Sequence, residues 1–324
     1  MRTALRVIIV IMLVVFGSDC VCGQTYRVSV GFYNVENLFD TVPNPRRHDD
    51  EFTPSGSRHW TSGRYDTKLR NLKRVIDDAG FDILGLAEIE NEAVLRDLVA
   101  CLGDDYNYIH RSSNDYRGID VAFIYKGDKY FPDAVEMIGS GTGRDFLYIR
   151  GRIATVPVGF VVCHLPSKLN GSSKRRVAVG RLAHVIDSLA CAADDRRLVV
   201  MGDFNGDFRE PVMRKTFAPS ADGFLLGHKF YNALADCSRN GYGSYRYKGI
   251  WYMVDNIVVS ESLTRSGPIH LYSAGVFIKR YMIVTSGSIG RKHYGYPYRT
   301  FMSGNYTGGY SDHLPVYIVL ELCD

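Results

Sequence analysis

The sequence holds no internal repeat, no long block of like charges and no low-complexity stretch. A solenoid is thereby excluded, and so is a chain dominated by disorder. Heptads and a continuous apolar interface stripe are also missing, so a monomer is expected. Beyond the N-terminus no apolar run is long enough to cross a bilayer as a helix. No Cys-x-x-Cys pair occurs, which argues against a zinc ribbon. Neither sign of charge is in large excess: the formal net charge is +4, which suits an anionic substrate without demanding one.

What is present starts with a leader. Arg2 and Arg6 flank the start of an apolar run, Val7 to Phe16, followed by small and polar residues. The run is shorter than the ~20 residues a spanning helix needs, and this layout is that of a secretory signal peptide. Cleavage after Gly23 makes residues 1–23 the leader and 24–324 the mature domain. The expected location is then the periplasm or the cell exterior. Seven cysteines are present, and removing Cys20 and Cys22 leaves five. Export would let a disulfide persist, but an odd count leaves at least one thiol free or paired between chains.

The length of 324 residues with 46% hydrophobic content supports a sizeable core. Strand-like and helix-like segments alternate. Strands are expected near Val28–Tyr33, Asp82–Ala87, Val121–Tyr125, Phe160–Cys163, Leu198–Met201 and Leu314–Leu320, with a hairpin and strand over Ser244–Ser260. Helices are expected over Asp66–Ala79, Glu92–Leu102 and Ser173–Ala190, each with apolar residues three and four apart. The mixture implies an α/β domain with helices on sheet faces. Tyr281 to Tyr310, rich in Gly and Tyr, has little periodicity and is expected to be a long loop.

Polar residues collect at the ends of these strands. Asn34 follows the first strand, Glu88 the second, and His164 the run Val161-Val162-Cys163. Gly202-Asp203-Phe204-Asn205 follows the Leu198 strand, Asp255 precedes Ile257, and Ser311-Asp312-His313 precedes the last strand. Strand ends converge at one rim of a sheet, where ligands bind in α/β folds. Packing alone does not explain short apolar strands that each end in a carboxylate, amide or imidazole.

The ordered set resembles the endonuclease/exonuclease/phosphatase superfamily, which includes DNase I-like nucleases and sphingomyelinases. Its carriers are Asn34 in NVENLFD, Glu88 in GLAEIEN, Gly118 and Asp120 in RGIDVAFIY, His164 in CHLPSK, Asp203 and Asn205 in GDFNGD, Asp255 in DNIVVS, and Asp312-His313 in SDHLP. The likeness runs from Val28 to Leu320, and the NVENLFD form resembles secreted bacterial nucleases. It implies a four-layer α/β sandwich of two packed mixed β-sheets flanked by helices. It also implies a Mg²⁺ or Mn²⁺ ion held by hard oxygen ligands. Glu88 would be the direct ligand, with Asn34 through its amide oxygen and Asp312 as a further ligand. Asp203 and His313 compete for the role of base, and Asp255 would orient His313. Asn205 would bind a phosphate oxygen, and His164 would donate to the phosphate or the leaving group. Arg144 and Lys168 would contact phosphates, and Arg117 would sit near the same rim.

Lys279, Arg280, Tyr281, Arg291, Lys292, His293, Tyr294, Tyr296, Tyr298 and Arg299 interleave cations with aromatics in the late loop. That pattern suits a nucleic acid and equally a lipid headgroup surface or a plain exposed loop. An exported nuclease is therefore the first expectation. A phosphoesterase of a small or lipid substrate is the second, and a binding protein without catalysis the third.

Overall fold

The structure is a computed structural model that describes residues 26–167, 171–191, 197–285 and 291–323. The expected leader and Lys168 lie outside the described residues. The first sheet is built from β1 (Tyr26–Leu38), β2 (Ile83–Ile89), β3 (Tyr106–His110), β4 (Asp120–Lys126), β14 (Ile269–Val276) and β17 (Val316–Leu322), in the order β14-β17-β1-β2-β4-β3. The second holds β5 (Phe131–Ile138), β6 (Phe146–Ile153), β7 (Val156–His164), β8 (Arg197–Asp203), β9 (Phe224–Leu225), β10 (Phe230–Asn232) and β13 (Asp255–Ser260), in the order β5-β6-β7-β8-β13-β10-β9. Two small hairpins, β11 (Tyr245–Tyr247) with β12 (Ile250–Tyr252) and β15 (Phe301–Met302) with β16 (Asn305–Tyr306), stand apart.

Each sheet has one parallel pair, β1 with β2 and β7 with β8. A parallel pair needs a crossover, and a helix supplies it in each case: α1 (Ser62–Ala79) and α3 (Ser172–Cys191). Helix α1 buries Leu69, Leu72, Val75 and Ile76 on one face and stops at Gly80, whose φ of 65° closes the last turn onto the Ile76 carbonyl. Helix α2 (Glu92–Leu102) starts where the Asn91 side chain accepts the Val94 amide.

Three apolar layers separate four structural ones. Val30, Phe32, Phe123, Phe160, Met201 and Ile318 fill the space between the sheets. Leu72, Ile76, Leu95 and Leu98 cover the outer face of the first sheet. Val179, Leu182 and Ile186 cover that of the second. This is the α/β/β/α sandwich expected from the sequence.

Several strands run further than expected. Asn34, Glu88, His164 and Asp203 lie within the ladders and not beyond them. Strands β3, β5, β6 and β14 had no clear signal; β5 is a largely exposed edge strand carrying Pro132, which breaks the usual apolar alternation. The late loop is mostly irregular, as expected, but holds short 3₁₀ turns and the β15–β16 hairpin. Cys101, Cys163, Cys191, Cys237 and Cys323 are all free thiols. No helix among the described residues is long and apolar enough to cross a membrane.

Candidate active site

The two sheets bring polar residues to the same rim by different means. In the first sheet the β1–β2 register slips between Asn34 and Leu38, and the β2–β4 register slips at Glu88. These bulges put Glu36, Asn37 and Glu88 at φ 55°, 54° and 66°. A residue with a side chain pays about 1–3 kcal/mol to sit there, and such strain gathers at functional sites. Hydrogen bonds hold it. The Asn37 amide donates to Glu88 Oε2 at 2.8 Å, and the Glu36 amide donates to Asn34 Oδ1 at 3.0 Å.

In the second sheet no bulge is needed. Ladder registry alone sets His164, Asp203 and Asp255 side by side across β7, β8 and β13. His313 arrives from the turn before β17. Ser311 fixes that turn, donating from Oγ to the Asn34 carbonyl at 2.7 Å and accepting the His313 amide at 3.1 Å. His313 Nδ1 is then 2.7 Å from Asp255 Oδ2, and its Nε2 is 3.9 Å from Asp203 Oδ2. Asn34 joins the sheets: its Nδ2 is 3.3 Å from Glu88 Oε1 and 3.1 Å from Asp203 Oδ2.

Burial and neighbouring charge give these groups unequal proton affinities. Asp203 is pushed up to about 7, first by burial and then by Asp255. Burial opposes charge on His313, but Asp255 and Asp312 outweigh it and raise the imidazole well above its ordinary range. His164 is driven well below its ordinary range by burial and by Arg144. Asp312 is held low despite burial, chiefly by Arg299.

Two expected roles change. Arg144 Nη1 lies 2.8 Å from His164 Nε2. A guanidinium only donates, so Nε2 must accept and the ring is neutral with its proton on Nδ1. His164 therefore has no proton on that nitrogen to give, and Arg144 is the donor facing the cleft. Asn34 turns its amide hydrogens and not its oxygen toward the carboxylates, because the Glu36 amide claims Oδ1. Asn205 Nδ2 donates to the Leu165 carbonyl at 2.8 Å while its amide caps Asp203 Oδ1 at 2.7 Å. Asp120 is structural, held by His110 at 3.0 Å and by the Ser113 hydroxyl at 2.7 Å.

Asp312 is anchored from a distance. Arg299 Nη2 is 2.9 Å from Asp312 Oδ2, and Arg299 Nε donates to Glu36 Oε1 at 2.9 Å. Glu36 is buried, also accepts the Thr300 amide at 2.7 Å, and lies 4.0 Å from Lys68 Nζ. Lys68, pulled down to about 8 by burial, donates to Thr300 Oγ1 and the Tyr310 carbonyl.

Above this floor opens a cavity of about 820 Å³. Glu88, Asp203, Asn205, Asp312 and His313 lie in it, with Arg117, Arg144 and Lys174 on its sides. Asp203, Asp255 and His313 each bring one donor atom within 4.8 Å of the others, a buried cluster consistent with a divalent-cation site. Asp255 Oδ1 is buried without a partner, and the surplus of carboxylate oxygen fits a hard cation.

A sequence model described as the Endonuclease/Exonuclease/phosphatase family matches residues 29–322. The chain belongs to the endonuclease/exonuclease/phosphatase family. Comparison with curated proteins found no match. Among solved structures, an endonuclease/exonuclease/phosphatase family protein from Bacteroides thetaiotaomicron is 16% identical with a TM-score of 0.59, covering 93% of this chain and 96% of its own. TDP2 from D. rerio, complexed with a single-strand DNA product, is 15% identical with a TM-score of 0.59, covering 91% and 98%. The mannosyl-6-phosphatase Bt3783 of B. thetaiotaomicron is 15% identical with a TM-score of 0.59, covering 90% and 99%. These likenesses establish the fold, and the family places the chain among phosphoesterases.

For a member of this family, the late loop contributes less than its composition suggests. None of its described residues lines the cavity. Tyr281 donates to Asp78, Tyr298 to the Thr307 carbonyl, and Arg299 is bound to acids. The aromatic lining is instead Tyr116, Tyr245, Tyr247 and Tyr252. Three of these stand in the segment YRYKGIWY, where cations already alternate with aromatics just ahead of DNIVVS.

Proposed function

We propose that this protein is an exported, divalent-metal-dependent phosphodiester hydrolase, and specifically a nuclease acting as a monomer. The observation that carries the reading is the pairing of an acidic floor with aromatic and cationic walls. A phosphodiester needs its charge neutralised, and bases need flat surfaces to stack on. Tyr116 and Tyr247 are exposed at the mouth, beside Arg117 and Lys174.

Glu88 and Asp312 are the residues that would hold Mg²⁺ or Mn²⁺; Asn34, whose amide hydrogens face Glu88 and Asp203, would fix those carboxylates and is not itself a ligand. The bound ion would supply charge neutralisation at the phosphoryl oxygen. The protein's own groups divide the rest. Asp203, with an affinity near neutral pH, takes the proton of the attacking water. With the ion on Glu88 and Asp312 and not in the Asp203–Asp255–His313 cluster, His313 is kept as imidazolium by Asp255 and holds the phosphate or protonates the leaving oxygen. Arg144 donates to a phosphate oxygen, and neutral His164 orients it. Residues 1–23 would direct export.

Purified protein should be incubated with plasmid DNA, single-stranded DNA, RNA, sphingomyelin and mannose 6-phosphate, each with Mg²⁺ or chelator. Metal-dependent strand cleavage is the expected result. Release of phosphate from the sugar alone would favour a small phosphomonoester. That second reading draws on the solved mannosyl-6-phosphatase, and a cavity of this size also admits a sugar phosphate. No turnover on the whole panel would sink both.

A further inference from the structure

A second cavity, of about 330 Å³, is lined by chain neighbours of residues that line the first. Asn205 lines the active-site cleft and Asp207, two residues on, lines the second cavity. Val254 faces the cleft while Met253 and Asn256 face the other side. Two residues span at most about 7 Å, so the two linings come close to each other at both places.

Its lining is cationic at the edge and amide-bearing at the base. Arg209, Arg214 and Arg239 are exposed around it, and Asn232 and Asn256 are buried in it. Arg209 is locked onto Asp207 by two contacts of 2.8 and 2.7 Å. Arg239 pairs with exposed Asp236 and also faces exposed Asp222, associations worth little. For Arg214 no ion pair is found among the described residues. Asp207 is the one acid in the lining and Asp236 and Asp222 face Arg239 from just outside it, so Arg214 is the cation left without a compensating acid. The catalytic chemistry uses none of these residues.

We propose that this cavity is a second phosphate-binding subsite, which takes a backbone phosphate a few nucleotides along the same strand as the scissile one. A small substrate has no group to reach it, whereas a strand rising about 3.4 Å per nucleotide passes from one cavity to the other. This rests on the nuclease reading and narrows it to polymeric nucleic acid.

The test compares the wild-type protein with Arg214→Ala/Arg239→Ala on single-stranded oligonucleotides of two to twelve nucleotides and on bis(p-nitrophenyl) phosphate, all with Mg²⁺. The wild type should show kcat/KM rising with length, and the double variant should lose about tenfold on the longest oligonucleotides, mostly in KM. The small chromogenic ester should be hydrolysed equally by both. Binding of an uncleavable phosphorothioate strand should show a salt slope lower by about 1.4, the value for two lost contacts to a single strand. A wild type that cleaves oligonucleotides with no length dependence, or a double variant with unchanged KM and salt slope, overturns the subsite. A wild type that hydrolyses the ester but no oligonucleotide overturns the nuclease reading instead. Both substituted arginines are exposed, and thermal melting confirms that the variant is folded.

Discussion

The two walls of the site are made differently. The first-sheet wall is bulged: Glu36, Asn37 and Glu88 all sit in left-handed backbone, pinned by hydrogen bonds from neighbouring amides. The second-sheet wall is straight, and His164, Asp203 and Asp255 are aligned by ladder registry alone. Adjacent strands lie about 4.8 Å apart, so the three side chains stand in a close row, with His164 Nε2 3.6 Å from Asp203 Oδ2. The strained wall fixes its acceptor oxygens with backbone amides; on the straight wall burial and neighbouring charge lower the proton affinity of His164 and raise that of Asp203. Left-handed backbone also occurs at Asn205 (φ 47°), in the turn just beyond β8, so the straight wall carries its strain past the end of the strand and not within the ladder.

If protons are handled by His313 together with the straight-wall Asp255 that holds it, His313→Ala should give the largest loss, about 10³- to 10⁴-fold in kcat. Asp255→Asn on top of it should add almost nothing, because groups acting as one unit are non-additive. Independent, multiplicative losses measured in steady-state kinetics would break that partnership. If the bulged wall grips the cation, Glu88→Gln should cost about a thousandfold and also weaken Mg²⁺ binding by calorimetry. Intact metal affinity in that variant would move the grip elsewhere.

Arg299→Ala should have an intermediate effect. It frees Asp312 and leaves Glu36 with a lost partner, so about tenfold in kcat and about 1–3 kcal/mol of stability are expected to go. Arg299→Lys should restore stability better than activity, since a point charge cannot bridge two carboxylates as a planar fork does. Equal rescue of both would reduce Arg299 to a structural tie.

The smallest effect is in the pH dependence of stability. The His164 affinity in the fold lies below its unfolded value of about 6.5. The stability it contributes is whole above that pH and is lost as pH falls through the folded value. Thermal melts stepped downward from about pH 7 should therefore fall less steeply in His164→Gln than in the wild type. Parallel curves would mean that the ring is not held neutral.

Much of this was legible in the sequence because short apolar strands announce their polar ends. Glu88 and His313 stand out against Leu84-Gly85-Leu86-Ala87 and Leu314-Pro315-Val316. Helix α2 falls on the expected residues because Asn91 caps it and Gly103 ends it. The bulges were not legible, since a register slip depends on the partner strand. The Lys68–Glu36–Arg299–Asp312 network was hidden for a similar reason: its members belong to helix α1, strand β1 and the late loop, and only the tertiary fold joins them. The cleft tyrosines carried a local signal, but the longer aromatic loop after residue 278 masked it.

The hydrogen bond from Ser311 to the Asn34 carbonyl joins positions 277 apart in the chain. A half-made chain, or one clipped anywhere before the final strand, has neither His313 nor the buttress beneath it. Refolding from denaturant is therefore expected to regain turnover in step with its slowest phase, when the last strand inserts beside the first. For a phosphoesterase, such late completion keeps the centre unassembled until the fold is whole.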